Sequence, residues 1–183
     1  MMKIGKTLYV TNRRAWRSWL AKNYATKNEI WLVYYLKASG KPRIPYNVAV
    51  EEALCFGWID STVKKIDKNR FAQRFTPRRS KSSYSQTNKE RLKKLIAQRK
   101  VIKAVLPTLG DISTDSFELP RDIVDTLKAD KQIWNNFRQF PESYKRIRIA
   151  FIEGARKRPE IFAKRLNYFL KMTAQNKKFG MVQ

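Results

Sequence analysis

The chain has 183 residues, of which 43% are hydrophobic, and a formal net charge of +25 at pH 7. This length and composition allow a buried core in one domain or in two small ones. With no histidine and a single cysteine, the chain cannot form an internal disulfide, a Cys-His pair or a Ser-His-Asp relay. Zinc, copper and haem sites lose their usual nitrogen ligand, so no cofactor is expected, although a carboxylate site for magnesium or iron stays possible in principle.

The spacing of apolar residues in the first part of the chain predicts alternating helices and strands. Trp16, Trp19 and Leu20 repeat at helical spacing after Asn12, which suits an N-cap. The stretch "EIWLVYYLK" is short and rich in aromatic and β-branched residues, which is typical of a central strand. The predicted elements are an edge strand over 8–10, a helix over 12–24, a strand over 29–37, a helix over 46–57 and an antiparallel hairpin that starts at Trp58 and ends at Pro77.

From Ser85 onward the periodicity is helical, and prolines at 120, 141 and 159 suit the first turns of helices. The predicted C-terminal helices cover 121–130, 131–140, 142–156 and 159–175. The sequence therefore predicts an α+β fold with a small antiparallel sheet of three or four strands packed with helices, followed by an all-helical module. The predicted organisation is an α+β domain over 1–106, a connector over 107–119 and a helical module over 120–183.

Basic residues are concentrated after the hairpin, because residues 64–103 contain 15 Lys or Arg and only 2 acidic residues. The segment "RFTPRRSKSSYSQTN" places arginines and hydroxyls in a loop that leads from a strand to a helix. A helix N-terminus presents unpaired N–H groups and partial positive charge, so this loop suits a phosphate, sulfate or carboxylate. The predicted ligand-binding residues are Asp60, Arg74, Arg78, Arg79, Ser82 and Ser85.

A structural interpretation of the same residues stays open. Ser83 with Gln86 fits a capping box, and Ser85 with Asn88 fits an alternative cap. The loop arginines could also form ion pairs with Asp60 or Glu51 across the sheet.

The stretch "EEALCFGWIDS" contains the single cysteine of the chain. Cys55 lies in the predicted last turn of a helix, before Gly57. No base is near it in sequence, and a buried free cysteine acts as a small apolar residue. We therefore expect Cys55 to be structural and no catalytic residue to be present in this stretch.

Two motifs in combination, "ALCFGWIDS" and "RFTPRRSKSSYSQTN", resemble the YdeI or OmpD-associated family of bacterial proteins, also called bacteriocin-protection proteins. The N-terminal "AWRSWLAKN" and the C-terminal "LPRDIVDTLKAD" and "RIRIAFIEGARKRPEIFAKRL" extend the resemblance over almost the whole chain. Tyr84 stands where the family more often has tryptophan, and "AQRKVIKAVL" lacks a glycine that the family tends to have. The resemblance implies a link to bacteriocin tolerance, and it implies no reaction.

Three functions are compatible with these features. The preferred hypothesis is a binding protein for a small anionic molecule, without cofactor or metal. The alternative is non-specific binding of nucleic acid through the excess positive charge, although no helix-turn-helix or RNA-binding motif is present. An enzyme is the lesser alternative, because paired carboxylates and an activated nucleophile are absent. With no long apolar run in the sequence, we expect a soluble, cytoplasmic protein without membrane insertion.

Overall fold

A computed structural model describes residues 3–79, 83–110, 112 and 117–180. The chain forms two compact units. The first unit consists of Met1–Ser83 and Arg91–Ile112, and the second consists of Tyr84–Glu90 and Ser113–Gln183. Among the described residues, no helix is both long and apolar enough to cross a bilayer.

The first unit contains a four-stranded sheet in the order β1-β2-β4-β3. Its strands are β1 (Thr7–Leu8), β2 (Ile30–Tyr35), β3 (Trp58–Lys65) and β4 (Arg70–Pro77). The predicted central strand and hairpin are confirmed, and β2 pairs antiparallel with β4. β1 is at the edge, as predicted, but it runs parallel to β2, so the sheet is mixed rather than purely antiparallel. The reason is that α1 (Arg13–Asn23) lies between these strands in the chain and provides the crossover that parallel neighbours need.

Helices α1 and α2 (Tyr46–Cys55) pack on one face of this sheet. Asn12 caps α1 as predicted, because its side chain accepts a hydrogen bond from the backbone N–H of Ala15 at 2.9 Å. The ring of Trp16 on α1 packs edge-on against Phe75 on β4, with centroids 5.4 Å apart. Both side chains have no solvent exposure, so the predicted apolar stripe of α1 forms the core of the first unit.

The positive φ of Gly57 explains the sharp change from helix to strand between α2 and β3. Gly57 has φ of +72°, a conformation that favours glycine. A Cβ at this position would also lie 3.2 Å from the side chain of Val105. The motif that contains Cys55 and Gly57 is therefore a helix end followed directly by a strand, as the sequence predicts.

The second unit is helical. Its helices are α4 (Arg121–Lys128), α5 (Lys131–Gln139), α6 (Glu142–Glu153) and α7 (Pro159–Ala174), which confirms the predicted elements. α3 (Gln86–Ala97) has its first five residues in this unit and its remaining residues in the first one. The buried core of the second unit consists of Ile123, Leu127, Phe137, Phe140, Tyr144, Ile149, Ile152 and Phe169.

Candidate functional site

Asp60 lies on β3 and faces the helices of the first unit. It pairs directly with Phe75 across the sheet, and directly opposed residues share a face. The hydroxyl of Tyr46, at the start of α2, donates a hydrogen bond of 2.6 Å to Oδ2 of Asp60. Burial and this hydrogen bond raise the pKa of Tyr46. Tyr46 therefore stays protonated at neutral pH and acts as a hydrogen-bond donor.

Tyr34 on β2 is the second tyrosine near Asp60. It is 2% exposed, and its hydroxyl has no hydrogen-bond partner among the described residues. Burial raises the pKa of Tyr34, and the nearby Tyr46 and Asp60 raise it further. We call Tyr34, Tyr46 and Asp60 the tyrosine-aspartate cluster. It contains one carboxylate that already accepts a hydrogen bond and one buried hydroxyl for which the described residues supply no partner.

Two arginines place positive charge beside this cluster. Arg43 lowers the pKa of Tyr34 and so opposes the effect of burial, and Arg91 does the same for Tyr46. Arg43 donates to the backbone carbonyl of Tyr35 at 2.9 Å, and Arg91 donates to Oδ1 of Asn47 at 2.8 Å. These bonds orient both guanidinium groups. The cluster therefore combines one hydroxyl donor that is not yet used, that of Tyr34, with a carboxylate and two nearby cations.

The cluster is poorly suited to acid-base catalysis at neutral pH. A general acid or base works best with a pKa near the working pH, and the pKa values of Tyr34 and Tyr46 are shifted upward, away from it. Among the described residues, no group of three or more carboxylates and thiols is arranged to hold a metal ion. The arrangement can bind a polar group, and its geometry indicates no specific proton transfer.

Arg74 does not share a face with Asp60. It is next to Phe75 on β4, so its side chain projects to the opposite face of the sheet. There its Nε donates to Oε2 of Glu29 at 2.7 Å. Gln73 is the neighbour that shares the face of Asp60, and it donates to the backbone carbonyl of Ser61 at 3.2 Å. Arg74 is thus held in an ion pair away from the tyrosine-aspartate cluster.

The other predicted residues lie in the strand-to-helix loop. Arg78 directly follows β4, and its backbone N–H donates to the carbonyl of Gly57 at 2.9 Å. Arg79 is exposed, whereas Ser82 lies outside the described residues. The hydroxyl of Ser85 accepts from the backbone N–H of Asn88 at 3.4 Å, which is the second of the two caps considered from the sequence. Ser85 belongs to the second unit, and Asp60, Arg78 and Arg79 belong to the first.

Cys55 is fully buried in the first unit, as expected for a structural cysteine. Burial raises the pKa of its thiol to about 11, and the nearby Glu52 raises it too. Arg17 opposes these effects but does not reverse them. Because the thiolate is the reactive form, Cys55 is a poor nucleophile at neutral pH.

The sequence singles out Asp60 as a candidate, but it does not indicate which residues surround it. The sequence predicts a strand around Tyr34 and a helix that starts at Tyr46, and both elements are confirmed. No local spacing indicates that Tyr46 bonds to Asp60 or that Tyr34 lies near both. The sequence also does not indicate that Arg43 and Arg91 lie near these tyrosines. One feature of the sequence could have indicated Tyr34. A tyrosine in a strand that is predicted to be buried needs a hydrogen-bond partner for its hydroxyl, so its surroundings are a candidate site.

Comparison with known families divides the chain into two parts. Residues 8–107 match the family described as a domain of unknown function (DUF8412). Residues 116–176 match the family described as "Bacteriocin-protection, YdeI or OmpD-Associated". The resemblance to that second family is therefore confirmed for the C-terminal motifs, whereas "ALCFGWIDS" and "RFTPRRSKSSYSQTN" lie in the part that matches the first.

No curated protein and no solved structure matches the chain. The match over residues 8–107 covers more than half of the 183 residues. The chain therefore belongs to the DUF8412 family, and its residues 116–176 match the bacteriocin-protection, YdeI or OmpD-associated family.

Proposed function

We propose that the first unit binds a small molecule through a phosphate or carboxylate group at the tyrosine-aspartate cluster. The observation that carries this proposal is the hydroxyl of Tyr34, which is buried and has no hydrogen-bond partner among the described residues. An unsatisfied buried hydroxyl costs about 1 to 3 kcal/mol, so folded proteins seldom keep one without a use. A ligand oxygen that accepts from Tyr34 supplies the missing partner.

The charge around the cluster supports an anion as the ligand. Asp60 already accepts a short hydrogen bond from Tyr46, which disperses part of its negative charge. Arg43 and Arg91 contribute two positive charges, both with electrostatic effects on the tyrosines. An anion is therefore attracted by the arginines and receives a hydrogen bond from Tyr34.

The proposal gives the loop after β4 a supporting role. Arg78 and Arg79 add positive charge close to the end of the hairpin, and the bond from Arg78 to Gly57 holds the beginning of the loop in place. We propose that their positive charge raises the local concentration of the anion. Arg74 forms an ion pair with Glu29 on the other face of the sheet, so we assign it no direct contact with the anion.

A thermal-shift screen of phosphorylated and carboxylated metabolites tests this function. We expect at least one anion to raise the unfolding temperature of the wild-type protein. The same anion should give a clearly smaller shift in Tyr34→Phe, Arg43→Ala and Arg91→Ala, and a moderately smaller one in Arg78→Ala and Arg79→Ala.

Two matched controls separate binding from general effects. Tyr35→Phe removes a hydroxyl from the next residue of β2, whose side chain projects to the opposite face. Arg14→Ala removes one exposed positive charge from α1. Both should keep the full ligand-induced shift. An equal shift in Tyr34→Phe and Tyr35→Phe, or no shift for any anion in the wild type, contradicts the proposed function.

We also propose a cytoplasmic location and an indirect link to bacteriocin or stress tolerance. The single cysteine is buried and forms no disulfide within the chain, which is compatible with a reducing compartment. A chain with a net charge of +25 repels cationic peptides, so direct capture of such bacteriocins is disfavoured. Cell fractionation with an antibody against the native protein tests the location.

Nucleic acid is the second candidate ligand, because residues 64–103 contain 15 Lys or Arg and only 2 acidic residues. Binding of this kind depends on phosphates and falls steeply with salt, by about tenfold or more between 50 and 200 mM. Titration of two DNA duplexes of unrelated sequence at several salt concentrations measures this dependence. Binding that is absent at 150 mM salt eliminates this candidate.

A further inference from the structure

The second unit contains a pocket of about 280 Å³ that is independent of the tyrosine-aspartate cluster. Its wall consists of side chains from α6, α7 and the segment after α7, and most of this wall is carbon. The buried residues Ile152 and Phe169 belong both to this wall and to the core of the unit. A pocket of this kind accepts an apolar group about the size of a medium-length acyl chain.

Arg148 on α6 is the notable polar residue of this wall. Its side chain is only 9% exposed, and its Nε has no hydrogen-bond partner among the described residues. No carboxylate in the described part of the chain pairs with it, and burial lowers its pKa. Because arginine remains charged in proteins, this residue places a positive charge beside an apolar cavity, and no carboxylate among the described residues compensates it.

Aromatic rings position the guanidinium group of Arg148. Its Cζ lies 5.0 Å from the ring centroid of Phe179, 5.7 Å from that of Tyr144 and 5.8 Å from that of Phe151. These cation-π contacts stabilise the charge only partly, because each is worth about 0.5 to 2 kcal/mol and none supplies a hydrogen-bond acceptor. Phe151 and Phe179 also line the pocket, so the guanidinium group lies at its wall.

The mouth of the pocket carries exposed apolar side chains. Phe151, Ile161 and Tyr168 are 48%, 38% and 49% exposed, and all three line the pocket. Lys164 and Arg165 lie among them. Large apolar groups exposed together around a cavity are typical of a ligand-binding site. The mouth thus presents apolar surface and positive charge together.

We infer that this pocket binds a small amphipathic anion, in which a medium-length acyl chain occupies the apolar cavity and a single carboxylate pairs with Arg148. The carboxylate supplies a counter-charge and an acceptor for Nε of Arg148, and the planar geometry of arginine suits a carboxylate. The acyl chain of the ligand covers Ile152 and Phe169 in the wall, and it also covers the apolar rim. Lys164 and Arg165 attract the anion to the mouth.

Isothermal titration calorimetry of the full chain with decanoate, below its micelle-forming concentration, tests this inference. Decanol is the neutral comparison, since it has the same chain and no negative charge. We expect one saturable site for decanoate and binding of decanol that is at least about tenfold weaker, because a hydrogen-bonded charge pair is lost. Equal affinity for the two compounds overturns the proposal.

Three variants locate the site. Arg148→Met removes the guanidinium group and leaves an apolar side chain of similar length. It should weaken decanoate binding by at least about tenfold. Ile161→Trp fills the mouth, leaves Arg148 intact and should also weaken binding. Arg121→Met removes an exposed arginine from α4 in the same unit and should bind decanoate like the wild type.

Circular dichroism of each variant verifies that the fold is intact, and Ile161→Trp provides the test if Arg148→Met fails to fold. Decanoate affinity that is unchanged in both Arg148→Met and Ile161→Trp overturns the proposal. A loss in Arg121→Met equal to that in Arg148→Met also overturns it, because general charge attraction then explains the binding. Failure of this site leaves the proposed function of the first unit untouched, since the two sites share no residue.

Discussion

Glu52 on α2 accepts a hydrogen bond of 2.7 Å from Nη1 of Arg17 on α1, although the carboxylate is only 1% exposed. Its other oxygen accepts from Arg13 at 2.7 Å. Nη2 of Arg17 also donates a hydrogen bond to the backbone carbonyl of Lys100 at 3.0 Å. One buried carboxylate therefore links two helices of the first unit, and through Arg17 it also contacts the segment that follows α3.

Replacing Glu52 with glutamine should destabilise the protein. The change removes the negative charge between two arginines, and removal of one partner of a buried pair costs about 3 to 5 kcal/mol. Since each arginine side chain is 38% exposed and can recover solvation, we expect a smaller loss of about 2 kcal/mol in the free energy of unfolding. Urea denaturation measures it.

Glu29→Gln is the matched control for that experiment. Glu29 pairs with Arg74 at the same distance of 2.7 Å, but both side chains are more exposed than Glu52, at 33% and 27%. We expect a loss below about 1 kcal/mol. Equal losses for Glu52→Gln and Glu29→Gln would show that burial does not set the strength of these pairs.

Removing the two hydroxyls of the tyrosine-aspartate cluster should have opposite effects on stability. Tyr34→Phe eliminates a buried hydroxyl that has no partner in the part of the chain that the structure describes, so the ligand-free protein should be stabilised by up to about 1 kcal/mol. Tyr46→Phe leaves Asp60 without its donor and should destabilise by about 1 to 3 kcal/mol. Denaturation of both variants without added ligand tests this, and destabilisation by Tyr34→Phe contradicts it.

The stability of the fold should decrease at alkaline pH, with a contribution from Cys55. Burial raises the pKa of its thiol from 9.0 to about 11 in the folded state. Between these values the unfolded chain has lost the proton and the folded chain has kept it, so stability is full below the lower value and is lost as the pH rises towards the upper one. The free energy of unfolding should therefore fall between about pH 9 and pH 11.

Cys55→Ala tests the origin of that alkaline slope. The variant lacks the thiol and should show a shallower decrease over the same pH range, although Tyr34 and Tyr46, whose pKa values are also raised, contribute in the same direction. Urea midpoints at several pH values provide the comparison. An identical slope in the wild type and Cys55→Ala would exclude the contribution of the thiol.

Ser85→Ala should reduce stability through the loss of a helix cap. The hydroxyl accepts from the backbone N–H of Asn88 in the first turn of α3, and loss of such a cap costs about 1 kcal/mol. Ser85→Asp restores an acceptor and should recover most of the loss, with Ser18→Ala, at an exposed position inside α1, as a control for helix propensity. If Ser85→Ala and Ser18→Ala have the same effect, the cap contributes nothing measurable.

Most of the secondary structure could be predicted because it depends on local patterns. The spacing of Trp16, Trp19 and Leu20 predicts α1, and Asn12 indicates where it begins. The β-branched and aromatic run of β2 predicts a buried strand, which the structure confirms. The direction of β1 was not predictable in the same way. Two residues carry too little pattern to show that β1 pairs with β2, and the parallel direction follows from that pairing through the crossover by α1.

The candidate site shows where local reasoning ends. The sequence indicates an excess of positive charge and singles out Asp60, but the partner of Asp60 is a helix residue 14 positions earlier, and that of Arg74 is a glutamate 45 positions earlier. Alternation along β4 predicts only that Arg74 and Gln73 face opposite sides. Which side carries the helices is decided by the packing of Trp16 on Phe75.

The amino-acid order by itself determined the helices and strands, the structural character of Cys55 and the net positive charge, because each depends on neighbouring residues or on composition. The tertiary structure alone decided that the Tyr34 hydroxyl is buried without a partner among the described residues, that Glu52 joins two arginines and that Arg148 lies at an apolar pocket. Burial and charge pairing depend on contacts between residues far apart in the chain. Such contacts form only when the chain folds, so they cannot be predicted from the pattern of neighbouring residues.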